Sequence, residues 1–194
     1  MRKLIKPLVF AAALLPFAYI VSRIVLNDLG PDPAEELAKV TGIWSLRFLV
    51  VALAMTPLRL MFNQVEFARN RRMLGLFALF YASCHFLVWI VFLLNMQWGR
   101  IAEELVERPY ITVGFSAYLI LVALGVTSPK VMVRKLGRNW KRLHRLIYLA
   151  SILAVIHLLW ILRTDVGEAV LYGSLVALLL GYRLWHKIKL QNFA

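Results

Sequence analysis

An all-α integral membrane protein with six crossing helices is the fold class this sequence predicts. Three observations carry the prediction. Hydrophobic residues make up 61% of the 194 positions, too many for an ordinary soluble domain. Six mostly apolar stretches approach the roughly 20 residues a helix needs to span the hydrocarbon core. The excess of Lys and Arg, a formal charge of +13, falls on alternate connections, as membrane topology requires.

The stretches are 7–26, 42–62, 74–94, 109–128, 146–162 and 169–185. Arg2, Lys3 and Lys6 precede the first, in the manner of a signal peptide. The run is long enough to span and shows no convincing cleavage site, so it reads as a retained helix. Asp32 followed by Pro33 supplies an N-cap and a first-turn proline, so the second helix starts ahead of its apolar run. In WGRIAEELVERP, Trp98, Ile101 and Leu105 fall at i, i+3 and i+7 with glutamates opposite. That pattern fits a short interfacial helix, with a solvated loop as the alternative. Pro109 stands where the first residue of the fourth span is expected. Pro16 and Pro57 lie within or near the ends of spans. No internal repeat is evident in the sequence. The chain ends shortly after its last span, so residues 1–194 are expected to form one membrane domain with no soluble domain attached.

Orientation follows from the cations. With both termini in the cytoplasm, the inner side holds 17 of the 23 Lys and Arg, among them Arg69, Arg71, Arg72, Lys130, Arg134, Lys135, Arg138, Lys141, Arg142, Arg145 and Arg183. The outer side and its nearby helix ends hold only Arg23, Lys39, Arg47, Arg100, Arg108 and Arg163. The charge therefore marks loops facing a bilayer, not a nucleic-acid surface. The lone cysteine, Cys84, excludes an intramolecular disulfide framework or a multi-cysteine metal site.

Ionisable residues within spans are functional candidates. His85 is central in the third span and His157 is deep in the fifth. His144 sits at the inner end of the fifth, and His186 follows the last. His85 lies thirteen residues beyond Arg72, and His157 thirteen beyond His144. At about 1.5 Å per residue, each is roughly 20 Å from its inner anchor. The two deep histidines should share one depth on two helices running the same way. Opposed imidazoles suit a six-coordinate haem iron in the bundle interior. The competing reading is a histidine that hydrogen-bonds to a neighbouring helix. His144 is a candidate third ligand. On one ideal helix it stands about 140° around from His157, and the residue level with it on the third span is Arg72. Arg72, Arg142 and Arg145 are at a level to pair with haem propionates.

Four stretches resemble the ferric reductase-like transmembrane family of ferric reductases and NADPH oxidases: TGIWSLRFLVVALAMTPLRL, RRMLGLFALFYASCHFLVW, ERPYITVGFSAYLILVALGVTS and LGRNWKRLHRLIYLASILAVIHLLW. They span most of residues 41–160. ERPYITVG with LGRNWKRLHRLIY is the more specific signature, and it resembles the haem-binding membrane subunits of bacterial periplasmic methionine sulfoxide reductase systems. The resemblance implies a multi-pass inner-membrane protein with a b-type haem and FMN. It implies electrons taken from the quinone pool or a cytoplasmic flavin reductase and passed to the periplasmic molybdopterin enzyme MsrP. Haem-binding positions carry over onto His85, His144 and His157. The wider pattern has two histidines on each of two helices; here there is one on the first and two on the second. One haem is therefore expected, and a second only with His144.

The predicted function is an electron-transfer subunit of an oxidoreductase, with the sulfoxide-reducing site on a partner. Glu103, Glu104 and Glu107 offer an acidic outer face for that partner. The rival reading is a proton relay or transporter built on the buried histidines. It lacks a central Asp, Glu or Lys in the spans and shows no matched broken helices.

Overall fold

The computed structural model describes residues 2–162 and 166–192. Arg163, placed on the outer side by the charge pattern, lies outside the described residues, as do the side chains of Arg2 and Lys3. The helices are α1 (Arg2–Val25), α2 (Pro33–Phe62), α3 (Val65–Val88), α4 (Ile101–Glu107), α5 (Pro109–Val126), α6 (Lys130–Leu136), α7 (Arg138–Leu143), α8 (Leu146–Ile161) and α9 (Gly167–Asn192). No strand occurs among the described residues. Six segments are long and apolar enough to cross a membrane: Leu4–Val25, Pro33–Phe62, Val65–Leu93, Pro109–Val126, Arg138–Ile161 and Gly167–Lys189. Their outward surfaces carry large exposed apolar side chains such as Leu8, Leu87 and Leu178, as helices facing hydrocarbon do.

Local chemistry sets the boundaries. The Asp32 carboxylate accepts from the Glu35 N–H at 3.0 Å and so caps α2. Asn63, at φ 50°, ends α2 in the left-handed conformation, and the chain turns directly into α3. Pro109 opens α5 as its first residue. Residues 98–107 form a 3-10 turn and then α4, which decides for the short helix over the loop. Its glutamates do not all face solvent, however. Glu104 is buried, with Arg100 at 3.5 Å and Arg108 at 3.3 Å. Glu103 stands 3.7 Å from Arg100. The acidic face expected from the sequence is largely neutralised by its own arginines.

The helices pair as α2 with α3 and α5 with α8; α3 meets α5, α9 bridges α2 and α8, and α1 lies against α3 and α2. This is a four-helix arrangement with one helix closing its side. The largest apolar cluster joins α1, α2 and α3. Phe48 stacks on Tyr81 at 5.2 Å and on Phe77 at 5.6 Å. Tyr81 is fully buried and donates its hydroxyl to the Ala13 carbonyl at 2.9 Å. Tyr81 thus packs into the seam that holds α1. Ser45 Oγ donates to the Ala78 carbonyl at 3.0 Å, locking α2 to α3. Tyr81→Phe removes one buried bond and is expected to cost about 1 kcal/mol, read as a lower thermal midpoint in detergent.

Candidate functional site

Two sites lie along the bundle. The first is at the level of the starts of α2 and α5. His85 of α3 and His157 of α8 approach with ring centroids 6.1 Å apart and planes at 78°. Each ring is held in the same way. His85 Nδ1 is 2.8 Å from the Ala38 carbonyl, and His157 Nδ1 is 2.6 Å from the Tyr110 carbonyl. A carbonyl only accepts, so each Nδ1 carries the proton and donates it. That leaves each Nε2 lone pair free, the tautomer a metal-binding histidine needs.

One turn beyond each carbonyl stands a glycine under the ring. A Cβ at Gly42 would come 3.1 Å from His85 Nδ1, and one at Gly114 would come 2.6 Å from His157 Nδ1 and Cε1. A side chain at Gly114 would collide with its ring, and one at Gly42 would press on its ring. The two sets repeat. Ala38, Gly42 and His85 recur 72 residues later as Tyr110, Gly114 and His157, and in both the carbonyl precedes the histidine by 47 residues. The sequence shows no evident repeat, but the structure contains one: α2–α3 and α5–α8 are two copies of one histidine-holding hairpin. The same spacing relates Arg72 to His144 and Ala78 to Ala150; both alanines are fully buried.

The donor set fits a six-coordinate iron that brings its own equatorial ligands. Imidazoles bound through one nitrogen at about 2 Å on opposite sides of an ion have centroids roughly 6 Å apart. Among the described residues no cluster of three or more His, Cys, Asp or Glu is poised to hold a metal ion. Two histidines are what this site offers, the number that a six-coordinate bis-imidazole haem takes.

The second site lies toward α6 and α7. It is a cavity of about 360 Å³ lined by Arg71, Arg72, Trp140, His144, Tyr148 and Arg183 among others. No carboxylate is among the described residues that line it. Arg72 Nε donates to Ser128 Oγ at 2.9 Å. Arg183 donates to the Tyr148 hydroxyl at 2.8 Å and to the Leu53 carbonyl at 2.5 Å, while its buried Nε has no partner. Trp140 stacks on His144 with centroids 4.0 Å apart.

His144 differs from the deep pair. The chain turns at His144 and Arg145, between α7 and α8. The ideal continuous helix behind the 140° offset does not exist there. His144 Nε2 lies 3.2 Å from Thr127 Oγ1. That hydroxyl also lies 2.6 Å from the Ala123 carbonyl. His144 thus meets a side-chain hydroxyl at the end of α5, where His85 and His157 each meet a backbone carbonyl.

Of the residues singled out by sequence, His85 and His157 come together, and Arg72 and His144 share the cavity. Arg145 is exposed at the start of α8 and does not line it. Sequence reasoning missed Gly42, Gly114, Trp140 and Arg183 as site residues. The glycine-to-histidine spacing of 43, present twice, was the signal for the first two.

Comparison with known proteins adds a family. Residues 41–155 match the family described as ferric reductase like transmembrane component. A protein of Xanthomonas euvesicatoria named protein-methionine-sulfoxide reductase heme-binding subunit MsrQ is 47% identical, over 96% of this chain and 88% of its own. A namesake from Xanthomonas oryzae is 46% identical over the same shares. One from Bordetella pertussis is 43% identical over 93% of this chain and 88% of its own.

Proposed function

Because the chain belongs to the ferric reductase-like transmembrane family, and within it to the MsrQ heme-binding subunits, we propose that it is the haem-carrying membrane subunit of a methionine sulfoxide reductase. In this reading the iron of a b-type haem lies between His85 and His157. The observation that carries it is the matched pair of imidazoles, each with Nδ1–H tied to a backbone carbonyl and Nε2 free. A haem held there supplies one-electron ferric–ferrous chemistry. The protein fixes the tautomer of both rings, sets their separation and, through Gly42 and Gly114, keeps the space around them open. One haem per chain is the expected content, since His85 and His157 are the two histidines whose rings face each other.

The chain takes electrons from the quinone pool or from a cytoplasmic flavin reductase and delivers them to a periplasmic partner, MsrP. The cationic connections α6 and α7, with Lys130, Arg134, Lys135, Arg138, Lys141 and Arg142, support a cytoplasmic location for that end of an inner-membrane protein. The reading assigns FMN to the adjacent cavity. Three guanidiniums without a carboxylate suit a phosphate, and Trp140 and Tyr148 offer aromatic faces to a flavin ring.

The test is electron delivery in nanodiscs. Haem reduction by a quinol or by reduced flavin, followed by reoxidation when purified MsrP and a sulfoxide are added, is the expected result. Reduction without reoxidation by that partner would refute the relay. Arg71→Gln combined with Arg183→Gln is expected to lower FMN content and flavin-driven reduction roughly tenfold or more, on the loss of two charge-assisted bonds. Haem content should be unchanged, because neither residue touches the histidine pair.

A further inference from the structure

Arg47 is a cation within the span of α2, and its partners are all neutral. Its Nε donates to the Tyr172 hydroxyl of α9 at 2.8 Å, and its guanidinium lies over the Trp44 ring at 4.6 Å. No carboxylate forms an ion pair with it among the described residues. An unpaired charge in a membrane span is costly and is kept where something uses it.

Its depth says what that is. Side chains on a helix lean toward the N-terminus, so the guanidinium of Arg47 lies back over Trp44, one turn earlier. Trp44 is two residues past Gly42, on which the His85 ring rests; two residues are about 3 Å of helix. The other side gives the same level. Tyr172 precedes Gly173, whose added Cβ would meet Val155 of α8 at 3.3 Å, and Val155 is two residues from His157. The Arg47–Tyr172 pair is thus level with both imidazoles, to within about one helical turn of height along the bundle. It lies where α9 closes the gap between α2 and α8.

We propose that Arg47, held by Tyr172 and Trp44, is the fixed positive charge that raises the reduction potential of the iron site between His85 and His157. The inference rests on the haem reading above. Reduction adds one electron to ferric iron, and a nearby cation in a medium of low dielectric constant stabilises the added negative charge. Arg47 is a positioning residue acting through the field; it need not touch the iron or its ligands.

The experiment is a mediated potentiometric titration of the purified haem protein, with dithionite as the electron source and visible absorbance as readout. Arg47→Gln should keep the haem content and the positions of the absorbance bands. It should shift the ferric-to-ferrous ratio at the wild-type midpoint roughly tenfold toward ferric, a fall of about 59 mV for one electron. Arg47→Lys, which keeps the charge, should restore most of the midpoint. Tyr172→Phe, which frees the guanidinium, should lower it by less than Arg47→Gln. Unchanged midpoints in Arg47→Gln and Tyr172→Phe would overturn the proposal and leave the haem reading intact. Should Arg47→Gln fail to accumulate, Tyr172→Phe decides: a fall supports the proposal and no change overturns it. A wild-type protein without haem would overturn both readings together.

Discussion

Replacing either His85 or His157 by alanine is expected to leave the purified chain essentially without haem, whereas His144→Ala keeps most of it. The asymmetry follows from which rings meet. His85 and His157 each spend Nδ1–H on a carbonyl, keep Nε2 free and approach each other to 6.1 Å between ring centroids. His144 lies against Thr127 and stacks on Trp140 in the second cavity. Losing one of two axial bonds removes both affinity and the second anchor of the macrocycle. Pyridine haemochrome content per chain is the measurement. Full haem in His157→Ala together with its loss in His144→Ala would place the iron in the wrong cavity and reverse the assignment of the two sites.

Gly114→Ala is expected to weaken haem binding more than Gly42→Ala does, although both changes add a single methyl group. At Gly114 the new carbon would stand 2.6 Å from two atoms of the His157 ring, a distance at which something must shift. At Gly42 the nearest ring atom is 3.1 Å away, and a displacement of a few tenths of an ångström suffices. Neither ring yields freely, because each is tied to a carbonyl one turn away on the same helix as its glycine. Overpacking costs about 1–3 kcal/mol, so haem affinity at Gly114→Ala should fall by roughly 5–150-fold. Gly181→Ala is the control: its added carbon meets nothing within 4 Å, and alanine is the better helix former by about 1 kcal/mol. Haem affinity after reconstitution with increasing haem separates the three. Equal losses at Gly42 and Gly114 would mean that the rings are not seated on these helices.

These details show which features a sequence carries openly. The six spans are legible because hydrocarbon thickness fixes their length and lipid fixes their composition. The meeting of His85 and His157 is legible because they stand deep in two spans that run the same way, although the turn at His144 and Arg145 interrupts the helix from which the second height was counted. The glycines were hidden because a glycine in an apolar helix usually signals close packing, and nothing local says that its neighbour is an imidazole 43 residues away. The duplicated hairpin was hidden for a related reason. Two copies need only the glycine, the histidine and a backbone carbonyl, and any residue supplies the carbonyl: alanine at 38, tyrosine at 110. The angular offset of His144 from His157 was not legible because periodicity cannot see the turn that separates α7 from α8. Glu104 looked solvent-facing because its neutralising arginines, four residues to either side, lie on its own face only once the chain is folded. Arg183 was read only as one of the inner-side charges, whereas its long side chain reaches the Tyr148 hydroxyl and the Leu53 carbonyl.

The reading as a haem subunit stands or falls on one spectrum. A dithionite-reduced minus oxidised difference spectrum of the detergent-purified chain, with haem quantified as the pyridine haemochrome, tests it most directly. The expected result is a low-spin b-type spectrum at about one haem per chain. About two per chain would bring His144 and its cavity into iron binding. No haem, even after expression with added precursor, would contradict the reading and return the histidine pair to the role of buried polar groups in a proton relay or transporter.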